Sequence, residues 1–450
     1  MNNMTQGSPL KHILKFAFPV WLGILFQQFY SVADTVIVGR FLGLNQLAGV
    51  GATSIFSNLV IWFFGGLCNG FCIPVAQNFG GKRYEMVRRY LSAGIRLAMI
   101  IVLCGTTIMA LSIGPILHAL NTPAEIFPFA HAYILVIILG VPFTMVYNYS
   151  ASCIRSLGDS RTPFLMLVFA SLLNIVLDLV FILWLGLGVR GAALATVIAQ
   201  ATSGFACLIH IRRNLPILHI NRQSWDESHT LTKETLRYGL PMGIRSSIIA
   251  AGAAILQYAV NGLGTYAIAG MVASGKMYGI LSSPIMAVNQ AVSPFAGQNI
   301  GARRLDRVSQ GLRAAILLDL GITCIDLLIS IFFGRSFVAL FVENPPVEVI
   351  ELGYLANLIN VIGFTVLGPA TCTPGIIQGM GYPMVSLVTG MTEVLGRMFA
   401  CWVLAGPFGF TGVCFANTLA WVFTAAFALP AYLICKKKLE KKFALEAVHG

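Results

Sequence analysis

Charge is scarce in this chain. Of its 450 residues 10% are Asp, Glu, Lys or Arg and 57% are hydrophobic, whereas a soluble domain carries about 25% charged residues. That scarcity excludes a water-soluble globular protein and defines a polytopic membrane protein. No CxxC pair occurs, and Cys68, Cys72, Cys104, Cys207, Cys324, Cys401 and Cys414 lie inside apolar runs. Neither a disulfide framework nor a cysteine-held metal is expected, and the cysteines read as small buried thiols. The histidines His12, His118, His131, His210, His219, His229 and His449 are scattered, without an HExxH motif. With no nucleophile beside a base and no metal cluster, we expect no enzyme. The first apolar stretch, "HILKFAFPVWLGILFQQFY", runs on into "SVADTVIVGR" without a small-residue cleavage site, so we expect it to be retained.

What the chain has instead is long apolar runs. Twelve segments reach the length of about 20 residues that crosses a bilayer, the first near 13–38, the last near 409–435. Lys11, Lys15, Lys82, Arg83, Arg88, Arg89, Arg155, Arg161, Arg212, Arg213 and the "KKKLEKK" lysines fall on one side, with only Arg40, Arg190 and Arg335 on the other. By the positive-inside rule both termini face the cytoplasm. The net charge of +12 is therefore a topology signal, and no nucleic-acid partner is expected. The organisation predicted is an N-terminal six-helix lobe at 1–212, a cytoplasmic linker at 213–238, a C-terminal six-helix lobe at 239–435 and a basic tail at 436–450. "VENPPVEVIE" forms an acidic outer loop to which we assign no chemistry.

The halves repeat. At an offset of 221 residues "AQNFGGKRYEMV" meets "GQNIGARRLDRV", aligning Gln77 with Gln298, Asn78 with Asn299 and Gly80 with Gly301. The same offset pairs Leu42, Gly43 and Ala48 with Leu263, Gly264 and Ala269. An even number of spans per half makes this a parallel repeat, a pattern of secondary transporters that carry substrate between their halves.

A carboxylate at the bilayer centre costs about 2.5 to 3.5 kcal/mol on insertion scales, so each needs a partner, a watery cavity or a proton. Asp34, Asp178, Asp319, Asp326 and Glu393 are such acids. Counting at about 1.5 Å per residue places Asp34, Asp178 and Thr196 within roughly 10 Å of the outer boundary. Asn174 is one turn deeper on the face of Asp178. Two carboxylates, an amide and a hydroxyl at one level hold a proton or coordinate Na⁺, a hard cation that takes oxygen ligands. The competing expectation pairs Asp34 and Asp178 with Arg40 and Arg190. Pro19 interrupts the amide ladder of span one and predicts a kink. Asp319 and Asp326, seven apart, face one way and align with Ala98 and Gly105; they line a path, form a second cation site or are hydrogen-bonded structural acids. Glu393 and Arg397 are spaced for an ion pair, and Lys276 reaches Glu393 or a substrate. Phe26, Phe29, Tyr30, Trp62, Phe63, Met271, Met277 and Met286 pad a cavity or simply pack.

Taken together, the twelve-span repeat, "FPVWLGILFQQFYSVADTVIVGRFLG", the duplicated Q-N-x-G-x-[KR]-R loop and "NIVLDLVFI" resemble the multidrug and toxic compound extrusion (MATE) transporters. The resemblance covers nearly the whole chain. It implies an all-α fold of twelve transmembrane helices. It also implies a cation site at Asp34, Asn174, Asp178 and Thr196, with Tyr133 as a companion, and a conformational role for Pro19. Span seven carries Gln257 where some members have a coupling Glu, a departure that weighs against a C-terminal coupling site. The expected function is H⁺- or Na⁺-coupled antiport exporting amphipathic, often cationic compounds across the cytoplasmic membrane. The chain would act as a monomer with no cofactor beyond the coupling ion. The alternative is a flippase of lipid-linked or polysaccharide substrates.

Overall fold

The computed structural model describes residues 2–119, 121–340 and 345–448. His449 and positions 342–344 of the acidic loop lie outside them. Every regular element among the described residues is helical: α1 (Pro9–Leu42), α2 (Leu44–Phe71), α3 (Ile73–Gly80), α4 (Tyr84–Ala119), α5 (Phe127–Ser156), α6 (Arg161–Leu179), α7 (Val189–Asn214), α8 (Arg222–Glu227), α9 (Thr232–Asn261), α10 (Thr265–Leu281), α11 (Ser283–Gly301), α12 (Leu305–Leu340), α13 (Val347–Gly379), α14 (Pro383–Phe399), α15 (Ala405–Cys414) and α16 (Ala416–Val448). Eleven stretches are long and apolar enough to cross a membrane. The remaining span is interrupted at Ser282, which divides it into α10 and α11.

The backbone repeats as the sequence does. Lys82 and Arg303, one per repeat loop, both take φ 58°, a left-handed conformation uncommon outside glycine. The amide of Asn78 donates to the Pro74 carbonyl and that of Asn299 to the Phe295 carbonyl, each at 2.8 Å. Arg83 N then donates to Asn78 O and Arg304 N to Asn299 O. The duplicated loop thus encodes a helix stop, one left-handed residue and a helix start. Gly188 (φ 58°) and Gly409 (φ 53°) recur likewise, as do single π-helical turns at Val180–Trp184 and Ala400–Leu404.

Two compact units form, and their limits differ from the predicted lobes. The first holds residues 1–2, 22–79 and 83–243; the second holds 3–21, 80–82 and 244–450. The changeovers fall two residues after Pro19 in α1 and two after Pro241 in α9. In the first unit Phe71, Leu67, Cys68 and Ile154 form the core, with Tyr149 donating to the Leu91 carbonyl at 2.9 Å. The stretch predicted as a linker is ordered within this unit. Asn221 and Ser224 make a capping box for α8, Trp225 stacks under Arg96 at 4.5 Å, and Arg89 pairs with Glu227.

The second unit centres on Phe364, Trp421, Met277 and Ile285. Its N-terminal residues are latched by the repeat loop. Met4 N donates to Gln298 Oε1 at 2.9 Å, and Arg307 donates to the Met4 and Gly7 carbonyls at 3.0 and 2.8 Å. Trp21 Nε1 reaches Ser283 Oγ at 3.1 Å. The basic tail is no separate segment, because α16 continues through it to Val448, supported by Lys436–Glu440 and Lys442–Glu446 pairs one turn apart. Eight cysteines are buried; Cys104 and Cys324 are exposed.

Candidate cation site

Within the first unit α1 and α6 bring two acids together. The carboxyl groups of Asp34 and Asp178 lie within hydrogen-bonding reach of each other. Apart from that contact, among the described residues no donor reaches either oxygen of Asp178, whose side chain is fully buried, nor Oδ1 of Asp34. Two carboxylates in contact repel strongly in an apolar setting, so the arrangement is stable only with one positive charge added, as a shared proton or a bound cation.

The oxygens around them complete the set. Asn174 stands on the face of Asp178, buried, with its Nδ2 donating to Thr196 Oγ1 on α7 at 3.5 Å. Its own Oδ1 has no partner. Thr196 in turn donates to the Ala192 carbonyl at 3.2 Å. Tyr133 on α5 and Tyr30 on α1 both lie close enough to feel the charge of Asp34 and Asp178. Tyr30 is four residues before Asp34, hence on its face, and bonds to Gln27. The sequence reading treated Tyr30 only as aromatic padding, although its spacing from Asp34 was the available signal.

The competing arrangement is not formed. Among the described residues neither Arg40 nor Arg190 makes an ion pair with Asp34 or Asp178, and both arginines are exposed. The helix holding Asn174 and Asp178 passes directly into the π-helical turn at Val180–Trp184. The matching turn at Ala400–Leu404 follows Phe399 where the first follows Leu179, so the turn belongs to the repeat rather than to the acid. Helix α1 runs continuously from Pro9 to Leu42 through Pro19.

The remaining singled-out residues lie elsewhere. In the second unit Glu393 accepts from Arg397 at 2.8 Å, both nearly buried, and Arg397 also donates to the Ile249 carbonyl at 3.1 Å. Arg245 on α9, absent from the sequence reading, points its charge at the same carboxylate and donates to Thr389 Oγ1 at 3.3 Å. Lys276 is exposed and makes no ion pair. Gln257 bonds to Asn261 one turn on, at 2.8 Å. Phe26, Phe29 and Trp62 are exposed, whereas Phe63 packs edge-on against Phe64, and Met277 is buried with Met271 and Met286 partly so.

A duplicated helical scaffold that crosses the bilayer about twelve times is the repeat architecture of membrane transporters. The MatE family pattern matches residues 19–180 and again 241–403, once per repeat, and the chain belongs to the MatE family of multidrug efflux transporters. It is 26% identical over 456 residues to the probable multidrug resistance protein YpnP of Bacillus subtilis strain 168, covering 98% of each chain. Similarity to the multidrug export protein MepA of Staphylococcus saprophyticus is 23% over 448 residues, 96% of each. The fold superposes on the outward-facing conformation of a multidrug resistance MATE transporter with a TM-score of 0.87 at 21% identity, covering 97% of this chain and 98% of that one.

Proposed function

We propose that the protein is a cation-coupled antiporter of the cytoplasmic membrane, with both termini cytoplasmic, that uses an inward H⁺ or Na⁺ gradient to export amphipathic, often cationic organic compounds. The observation that carries this reading is the contact between the Asp34 and Asp178 carboxyls, ringed by Asn174, Thr196, Tyr30 and Tyr133. The cation binds there and leaves there, and its arrival removes the repulsion between α1 and α6. Because α1 contributes to both compact units with Pro19 beside the changeover, a change in how its outer half packs is transmitted along one helix. The protein acts as a monomer and needs no cofactor besides the coupling ion. Asp34→Asn and Asp178→Asn should each abolish gradient-driven efflux while the purified variants keep wild-type elution in detergent. Wild-type efflux in both variants overturns the assignment.

A second reading, export of lipid-linked or other anionic amphiphiles, is favoured by one observation: Arg397 pairs with Glu393, and Arg245, within range of the same charge, has no ion pair of its own among the described residues. Parallel efflux assays with cationic and anionic dyes separate the two.

A further inference from the structure

The second unit buries a polar stripe for which the cation site has no use. Asp319, Thr323, Asp326 and Ser330 recur at spacings of four, three and four on α12, one helix face, and are exposed by only 1%, 3%, 5% and 0%. Helix α13 packs along this face. Its Cys372 Sγ donates to Asp319 Oδ2 at 3.1 Å, and its Asn357 Nδ2 donates to Ser330 Oγ at 3.0 Å. Gly368 lies directly beneath Asp319; a Cβ there would come within 2.7 Å of the aspartate Cβ. Asp319 Oδ1 and Asp326 Oδ2 nevertheless have no hydrogen-bond partner among the described residues.

No charge answers them. On α12 itself Arg307 is held by Asn299 and the Met4 and Gly7 carbonyls, Arg313 is exposed, and Arg335 pairs with Glu351 at 2.7 Å above the Tyr354 ring. Helix α11 carries no titratable side chain. On α10 Tyr266 and Lys276 are exposed and Tyr278 stacks on Trp421. Glu348, Glu351 and Tyr354 stand at the outer end of α13, and on α16 Tyr432 bonds to Ser309 near the other end of α12. Cys372 is the one titratable neighbour that touches either acid among the described residues.

The repeat supplies an internal control. At the same offset α4 carries Ala98, Val102, Gly105 and Met109; α5 and α13 repeat at 223, as the approaches of Gly49 to Ala130 and of Gly270 to Gly353 show, which puts Tyr149 and Ile134 where α13 has Cys372 and Asn357. The first unit builds the matching face of α4 without an acid, so packing alone does not require the acids of the second.

We propose that Asp319 and Asp326 form a second proton-binding pair, seated in the C-terminal repeat and separate from Asp34 and Asp178. A proton suits the chemistry better than a metal cation. The neighbour of Asp319 is a thiol, and seven residues at a rise of about 1.5 Å set Asp319 and Asp326 roughly 10 Å apart along α12, too far for both to close on one ion. A hard cation needs several oxygen ligands, whereas a proton needs one lone pair, and each acid has one unpartnered. That this proton is exchanged during export rests on the antiport reading; its binding does not.

The test is infrared difference spectroscopy of the purified full chain across a pH titration, in an Asp34→Asn/Asp178→Asn background that silences the first site. The expected result is two protonated-carboxyl bands that disappear as pH rises, one removed by Asp319→Asn and the other by Asp326→Asn. Cys372→Ala, which keeps both acids, should shift the Asp319 band by removing its hydrogen bond. No titrating carboxyl band in that background, or bands that survive both Asn substitutions and vanish with Glu393→Gln, overturns the proposal. Both bands intact in a protein whose efflux ignores every ion gradient would sink the antiport reading and leave this one standing.

Discussion

Asp34 on α1 and Asp178 on α6 meet carboxyl to carboxyl, far apart in sequence yet brought together inside the first compact unit without a basic side chain between them. From that relationship follows a site that gains stability by taking up one positive charge and loses it on release.

The two tyrosines set how tightly that charge is held. A typical hydrogen bond is worth about 0.5 to 1.5 kcal/mol net, or roughly a 2- to 10-fold change in affinity. Tyr133→Phe and Tyr30→Phe should each raise the ion concentration that gives half-maximal efflux by that factor, with less effect on the maximal rate. An unchanged half-maximal concentration in both would remove the tyrosines from the site.

Proline placement predicts a different signature. Pro19 and Pro241 each sit two residues before a helix passes from one compact unit to the other. A proline inside a helix costs about 3 kcal/mol relative to alanine, so Pro19→Ala and Pro241→Ala should keep or raise the melting temperature while lowering efflux several-fold. A stabilised variant with the wild-type efflux rate would show that neither proline serves as a hinge.

Glu393 is the carboxylate for two arginines. Leaving a buried charge without its partner costs about 3 to 5 kcal/mol, so Glu393→Gln should lower the melting temperature markedly. Glu393→Gln/Arg397→Gln should recover part of the loss. Equal melting temperatures for wild type and the single variant would show that water already solvates this pair.

The latch of the N-terminal residues on the second repeat loop is open to limited proteolysis. Arg307→Ala removes the donor to two backbone carbonyls and should make cleavage at Lys11 by trypsin at least several-fold faster, whereas Arg313→Ala, at an exposed position, should not. Equal rates for the two would mean that other contacts hold the segment.

Much of this architecture was legible in the sequence because the forces that set it are periodic. Apolar runs of bilayer length marked the spans, and the offset that aligns Asn78 with Asn299 also aligns their side-chain hydrogen bonds to the preceding turn. Depth counting along three helices put Asp34, Asp178 and Thr196 at one level, and the structure places Asp34 against Asp178 and Asn174 against Thr196. What stayed hidden depends on tertiary packing. The break at Ser282 and the π-helical turn after Asp178 leave the apolar pattern intact, so hydropathy does not mark them. The part of α1 before Leu22 joins the second unit through Trp21, Met4 and Arg307, contacts that no local pattern encodes. Arg245 lies in the middle of α9 with no acid one turn away on its own helix, and only folding turns it toward Glu393.

In the proposed mechanism one cation at Asp34 and Asp178 drives export. This is tested most directly by efflux of a fluorescent organic cation from proteoliposomes in which a pH gradient and a sodium gradient are imposed separately, for wild type and for Asp34→Asn/Asp178→Asn. One of the two gradients should accelerate wild-type efflux, and the variant, equally reconstituted, should respond to neither. Efflux that ignores both gradients in the wild type, or that follows a gradient equally well in the variant, contradicts that mechanism.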